Sequence, residues 1–150
     1  MKQTRFKLCR LEDLTGPEVH ALLAAREAVF VVEQNCPYQD ADQLDKNSWH
    51  LIGCNDSGIS CYLRIVEPGY KYSEPSLGRV LTSKRYRGTG LGRKVTEVGI
   101  DRTQSIFPGL GIRISAQAYL RGFYEGFGFR VVSDAYMEDD IPHIEMLLKA

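Results

Sequence analysis

Residues 85–94, RYRGTGLGRK, place three glycines at alternate positions between basic side chains. Glycine gives up more backbone freedom on folding than any other residue, so such a run marks a loop that needs bare backbone. Directly before a helix it suits an anion. The first N–H groups of a helix have no intrahelical partner and lie at the positive end of its macrodipole. Arg87 and Arg93 add charge at the same place. Three phosphate-binding loops compete for the pattern. The dinucleotide fingerprint requires G-x-G-x-x-G, but Gly88, Gly90 and Gly92 are followed by Arg93. The Walker loop requires G-K-[ST], which the chain lacks, and a kinase loop requires further motifs that are absent. R-x-x-G-x-G remains, running from Arg87 through Gly90 to Gly92; tight strand–helix packing is its competing reading.

The elements that must position this loop follow from periodicity. TRFKLCRL alternates as a strand. Residues 15–34 read as one amphipathic helix, capped by Thr15, with Val19, Leu22, Leu23, Val29 and Phe30 at helical spacing. The polar stretch NCPYQDADQLDKN is a loop of a length that is usually functional. SWHLIGC and ISCYLRIVEP form a hairpin across NDSG, and LGRVLTS is a third strand leading into the glycines. GLGRKVTEVGIDRTQSI is a helix, IRISAQ a strand and AYLRGFYEGF a short helix ended by Gly128. FRVVSDAYM and HIEMLLKA close as strands. The order predicts a single α/β (α+β layered) domain over residues 1–150, with a mixed, mostly antiparallel sheet flanked by helices.

VLTSKRYRGTGLGRKV resembles motif A of the GCN5-related N-acetyltransferase (GNAT) superfamily, and AQAYLRGFYEGFGF resembles its motif B. More narrowly, REAVFVVEQNCPYQDADQLD, WHL and IPHIEM resemble the ElaA-type branch. The resemblance covers essentially the whole chain. It implies acetyl-CoA as co-substrate, no metal, and transfer to a primary amine by direct attack in a ternary complex. Val80, Leu81 and Thr82 would then hold the pantetheine and offer an N–H to the thioester oxygen. Arg87, Gly88, Thr89, Gly90, Leu91, Gly92 and Arg93 would hold the pyrophosphate. Gln117 stands where many members have Asn and can make the same amide contacts with longer reach. Tyr124 matches the motif B tyrosine and is the expected general acid, since a phenol with pKa near 10 stays protonated at neutral pH.

For the base, Glu33, His50 and His143 with Glu145 are all candidates, and water can relay the proton instead. Glu33, Tyr38, His50 and His143 are the residues expected at the acceptor. Asp40, Asp42, Asp45, Glu138, Asp139 and Asp140 would draw a cationic amine if they flank the cleft; solvated loop surface is the plainer reading. Cys36 lies in the polar loop with no histidine near it in sequence. Cys9, Cys36, Cys54 and Cys61 lack C-x-x-C spacing and read as reduced thiols.

Composition narrows the partners. A formal net charge of zero argues against nucleic acid. No apolar run approaches the roughly 20 residues of a membrane span, and the amino-terminal stretch has no apolar signal core, so a cytoplasmic protein is expected. A monomer or homodimer is compatible with these features. A non-catalytic acyl-CoA-binding module is the alternative class, whereas a nucleotide switch lacks its Walker lysine.

Overall fold

The computed structural model describes residues 3–150, so the first two residues of the amino-terminal stretch lie outside it. β1 (Arg5–Cys9) leads through a 3-10 turn into α1 (Gly16–Glu27). The Thr15 hydroxyl accepts the Glu18 N–H while the Glu18 carboxylate accepts the Thr15 N–H, a reciprocal cap that starts α1. The helix expected over 15–34 is continuous but changes pitch. From Ala28 to Glu33 it widens into a π-helix, in which Gln34 donates to the Val29 carbonyl at 3.2 Å. Such widenings concentrate at functional sites.

β2 (Ser48–Asn55), β3 (Gly58–Val66) and β4 (Ser76–Thr82) join β1 in an antiparallel sheet of order β1-β2-β3-β4. β3 is buried from Ser60 to Val66 because helices cover both faces. On one face Leu22 of α1 packs with Ile52, Tyr62 and Leu81. On the other, Val95 of α2 (Leu91–Ile106) packs with Leu51, Leu63 and Ile65. A Cβ added at Gly99 would stand 2.5 Å from Leu63, so the bare helix surface is what lets α2 close on the sheet.

β5 (Ile112–Gln117), α3 (Arg121–Glu125), β6 (Arg130–Val131), β7 (Tyr136–Glu138) and β8 (Ile141–Leu148) complete the chain. β8 is central to the second sheet, with β5 on one side and β6 and β7 on the other. The layered α/β fold with a mostly antiparallel sheet and flanking helices therefore forms as expected, divided between two sheets. The strand expected over 129–137 is broken. The Ser133 hydroxyl takes the Glu145 N–H at 2.8 Å, replacing a ladder bond with a side-chain bond.

Two irregularities bear on the space between the sheets. The register of β3 on β4 passes from Tyr62↔Leu81 to Arg64↔Gly78, so β4 spends one extra residue. This bulge centres on Arg79, whose φ of 51° is left-handed. At the seam between sheets, Arg113 donates its N–H to the Pro75 carbonyl at 3.0 Å, and beyond that point a cleft opens between β4 and β5. Among the described residues no helix is long and apolar enough to cross a membrane.

Candidate active site

The cleft has a volume of about 700 Å³. Val80, Leu81, Thr82, Arg87, Gly88, Gly90, Leu91, Gly92, Gln117 and Tyr124, with Glu33, Tyr38 and His143, all line it. Thr89, Arg93 and His50 are not on it.

At the α2 end the chemistry is in the backbone. Gly88 and Gly90 have φ of 77° and 85°, a region that costs an L-residue roughly 1–2 kcal/mol. Gly90 caps α2 without a side chain, and the first intrahelical bond runs from Lys94 N–H to the Gly90 carbonyl at 3.0 Å. The N–H groups of Leu91, Gly92 and Arg93 therefore have no helical acceptor. Gly92 serves packing as well, since a Cβ there would lie 3.2 Å from Thr82 Oγ1. Arg87 folds across the mouth: its Nε donates to the Thr82 carbonyl at 3.1 Å, and its Nη1 lies 2.6 Å from Glu33 Oε1. Thr89 turns away to donate to the Tyr86 carbonyl. The Arg93 side chain pairs with Glu97 at 3.5 Å and covers the Phe127 ring, so only its backbone faces the helix end.

Tyr124 is buried edge-on between Phe123 and Phe129 and still lines the cleft. Burial pushes its phenol up to about 12, so it carries its proton throughout the neutral range. Across the sheet, register pairs Gln117 with His143.

At the β7–β8 end the chemistry is in side chains. His143 donates Nδ1–H to the Ile141 carbonyl at 2.7 Å, which leaves Nε2, 3.3 Å from Glu138 Oε2, as the second proton site. Its ring stacks on Tyr136. Tyr38 donates its hydroxyl to Asp140 at 3.0 Å. The Cys36 thiol reaches the Asp139 carbonyl at 3.5 Å; burial, then the charges of Asp139 and Asp140, push its pKa up. A cysteine held as the thiol is a poor nucleophile.

Three expectations change here. Asp40 and Asp45 are neither solvated nor free to steer an amine; they are buried. Arg26, fully buried on the core face of α1, takes Asp40 and Asp45 at 2.8 Å each. Arg64 takes Asp42 at 2.7 Å and Asp45 at 3.0 Å, and Arg79 at the bulge takes Asp40 at 2.8 Å. Burial would raise the Asp45 pKa, yet hydrogen bonds and charge from Arg26 and Arg64 outweigh it and hold it below the usual value. His50, expected at the acceptor, is fully buried between the Tyr62 hydroxyl at 2.6 Å and the Asp45 carbonyl at 3.0 Å. It braces this network and meets no cleft. Glu145 is committed to Arg113 at 3.2 Å.

Arg64, Lys71 and Arg79 also line the cleft, and no motif in the sequence marks them. The usable signal is charge interrupting apolar runs: Arg26 stands one turn after Leu22, and Arg64 sits inside ISCYLRIV.

Comparison with known proteins agrees with this geometry. The family model for the acetyltransferase (GNAT) domain matches residues 20–150. A UPF0039 protein of Synechocystis sp. is 49% identical over 141 residues, covering 93% of this chain and 92% of its own. Protein ElaA of Escherichia coli is 38% identical over 136 residues, covering 89% of each. The crystal structure of an acyl-CoA N-acyltransferase from Pseudomonas aeruginosa superimposes with a TM-score of 0.93 at 38% identity, over 97% of this chain and 99% of that one.

Proposed function

The chain belongs to the GNAT acetyltransferases, in the ElaA-type branch, and on that premise we propose that it transfers an acetyl group from acetyl-CoA to an amine, with donor and acceptor held in the cleft together. The observation that carries this reading is the α2 end: the uncommitted N–H groups of Leu91 and Gly92 and two left-handed glycines open onto the same cleft as a strand bulge and a protonated tyrosine.

In this reading the pyrophosphate settles on the N–H groups of Leu91, Gly92 and Arg93. The anion also competes with Glu33 for Arg87. The pantetheine runs along Val80, Leu81 and Thr82. The bulge puts Arg79 and Val80 outside the regular register, so a backbone N–H there is available to the thioester oxygen as negative charge develops on it. The amine nitrogen forms a bond to the carbonyl carbon while the carbon–sulfur bond breaks. His143 takes the amine proton at Nε2, its tautomer set by the Ile141 carbonyl, and Tyr124 gives its proton to the departing thiolate. Glu33 pairs with Arg87 at the pyrophosphate end of the cleft, and this reading gives the base role to His143.

Acetyl-CoA with a panel of primary amines, followed by free thiol and product mass, tests this. Amine-dependent thiol release with an acetylated product is the expected result. Tight CoA binding without thiol release from any amine would instead assign a binding module.

A further inference from the structure

The cleft wall away from α2 carries Asp40, Arg64, Lys71 and Arg79, which belong to a larger set of charges that mostly cancel. Arg26, Arg64 and Arg79 face Asp40, Asp42 and Asp45 in direct ion pairs, three cations against three anions. Lys71, in the loop before β4, lines the same cleft with its side chain exposed. Among the described residues it makes no ion pair within 4.0 Å. Its ammonium lies 5.6 Å from the centre of the Tyr72 ring and in electrostatic reach of Glu138, Asp42, Arg64 and Arg79. Arg64, buried in that wall, has an Nε without a hydrogen-bond partner among the described residues, as do Arg79 Nε and Asp40 Oδ1. Glu138 and Asp139 line the cleft beside His143. The end that would admit the acceptor is therefore dipolar: an ammonium without a carboxylate partner near two carboxylates, one of which touches the imidazole.

A simple amine, or a diamine, uses only the anionic part of this surface and meets Lys71 as repulsion. A molecule carrying an amine and a carboxylate uses both parts. We infer that the acceptor is an amino-carboxylate, a small amino-acid-like molecule whose carboxylate sits on Lys71 while its amine faces Glu138 and His143. The inference rests on the acetyl-transfer reading of the cleft and narrows its acceptor. The transfer step is unchanged, and the carboxylate takes no part in bond making.

Matched pairs test it: lysine against cadaverine, and phenylalanine against phenethylamine, each with acetyl-CoA. The carboxylated member is expected to have the higher kcat/KM by about fivefold, the scale of one exposed ion pair. Lys71→Gln should erase that gap and leave the KM for acetyl-CoA alone, and Lys71→Glu should reverse it. Equal kcat/KM within each pair, or a gap that survives Lys71→Gln, overturns the inference while acetyl transfer stands. Calorimetric titration of the same pairs into protein saturated with desulfo-CoA separates the two failures. A Lys71-dependent preference in binding without turnover keeps the amino-carboxylate site and removes acetyl transfer. No preference in binding overturns the inference whatever the turnover.

Discussion

The two ends of the cleft are built from different materials. At the α2 end an anion meets backbone: uncommitted N–H groups, held in place by glycine conformations at Gly88 and Gly90. Arg87 is the side-chain charge there, and Glu33 holds it at 2.6 Å. The opposite wall shows Asp40, Arg64 and Arg79, side chains of a network that also ties the fold together, since Arg26, Arg64 and Arg79 link α1, β3 and β4 through Asp40, Asp42 and Asp45. A backbone site is cheap in stability and sensitive to local conformation. A wall of buried ion pairs is the reverse: removing one partner strands a charge in the interior.

The largest effect should come from stranding such a charge. Asp45→Ala is expected to cost about 3–5 kcal/mol, read by urea unfolding. If it destabilises no more than a glycine substitution at the α2 end, the contrast fails. The pH dependence sharpens the same point. Asp45 is held below the usual carboxylate value, so its contribution is full above about pH 4 and is lost as pH falls through the folded pKa. His50 is pushed down by burial and stays neutral in the fold, so stability also declines as pH drops below about 6.5. The urea midpoint should fall between pH 7 and pH 3, with the Asp45→Ala protein flatter at the acid end.

Next in size, Tyr124→Phe should lower kcat by about a hundredfold with the KM for acetyl-CoA unchanged and the fold intact. A KM effect without a kcat effect would make Tyr124 a packing residue. Gly90→Ala should weaken CoA binding by about tenfold through its left-handed φ, measured by calorimetry, with only a small change in the urea midpoint. The smallest effect belongs to Glu33→Gln. Freeing Arg87 from an exposed pair should tighten CoA binding by about threefold; weaker binding would show that Glu33 orients Arg87 rather than competing for it.

The same contrast explains what could be read from the chain alone. The α2 end was legible because glycine spacing encodes backbone geometry locally: loop, helix start and the Tyr124 helix all lie within 45 residues. Even there, the side chains of Thr89 and Arg93 turn away from the cleft, because which way a side chain turns depends on neighbours such as Tyr86 and Glu97. The other wall was not legible. Asp40 and Asp45 look like loop charge until Arg26 and Arg64, 14 and 19 residues away in sequence, are folded against them. His50 alternates like a cleft-facing residue but faces Tyr62, its neighbour across the hairpin layer. The π-widening of α1 and the break at Ser133 arise from a few local hydrogen bonds, below the resolution of hydrophobic periodicity.

Both ends must be filled at once for the proposed reaction, and Cys36 as a thiol offers no covalent detour. Initial velocities with acetyl-CoA and a working amine, each varied at several fixed levels of the other, test this most directly. Intersecting double-reciprocal lines are predicted, as a ternary complex requires. Parallel lines, with acetylated protein detectable by mass when acetyl-CoA is added alone, would contradict it.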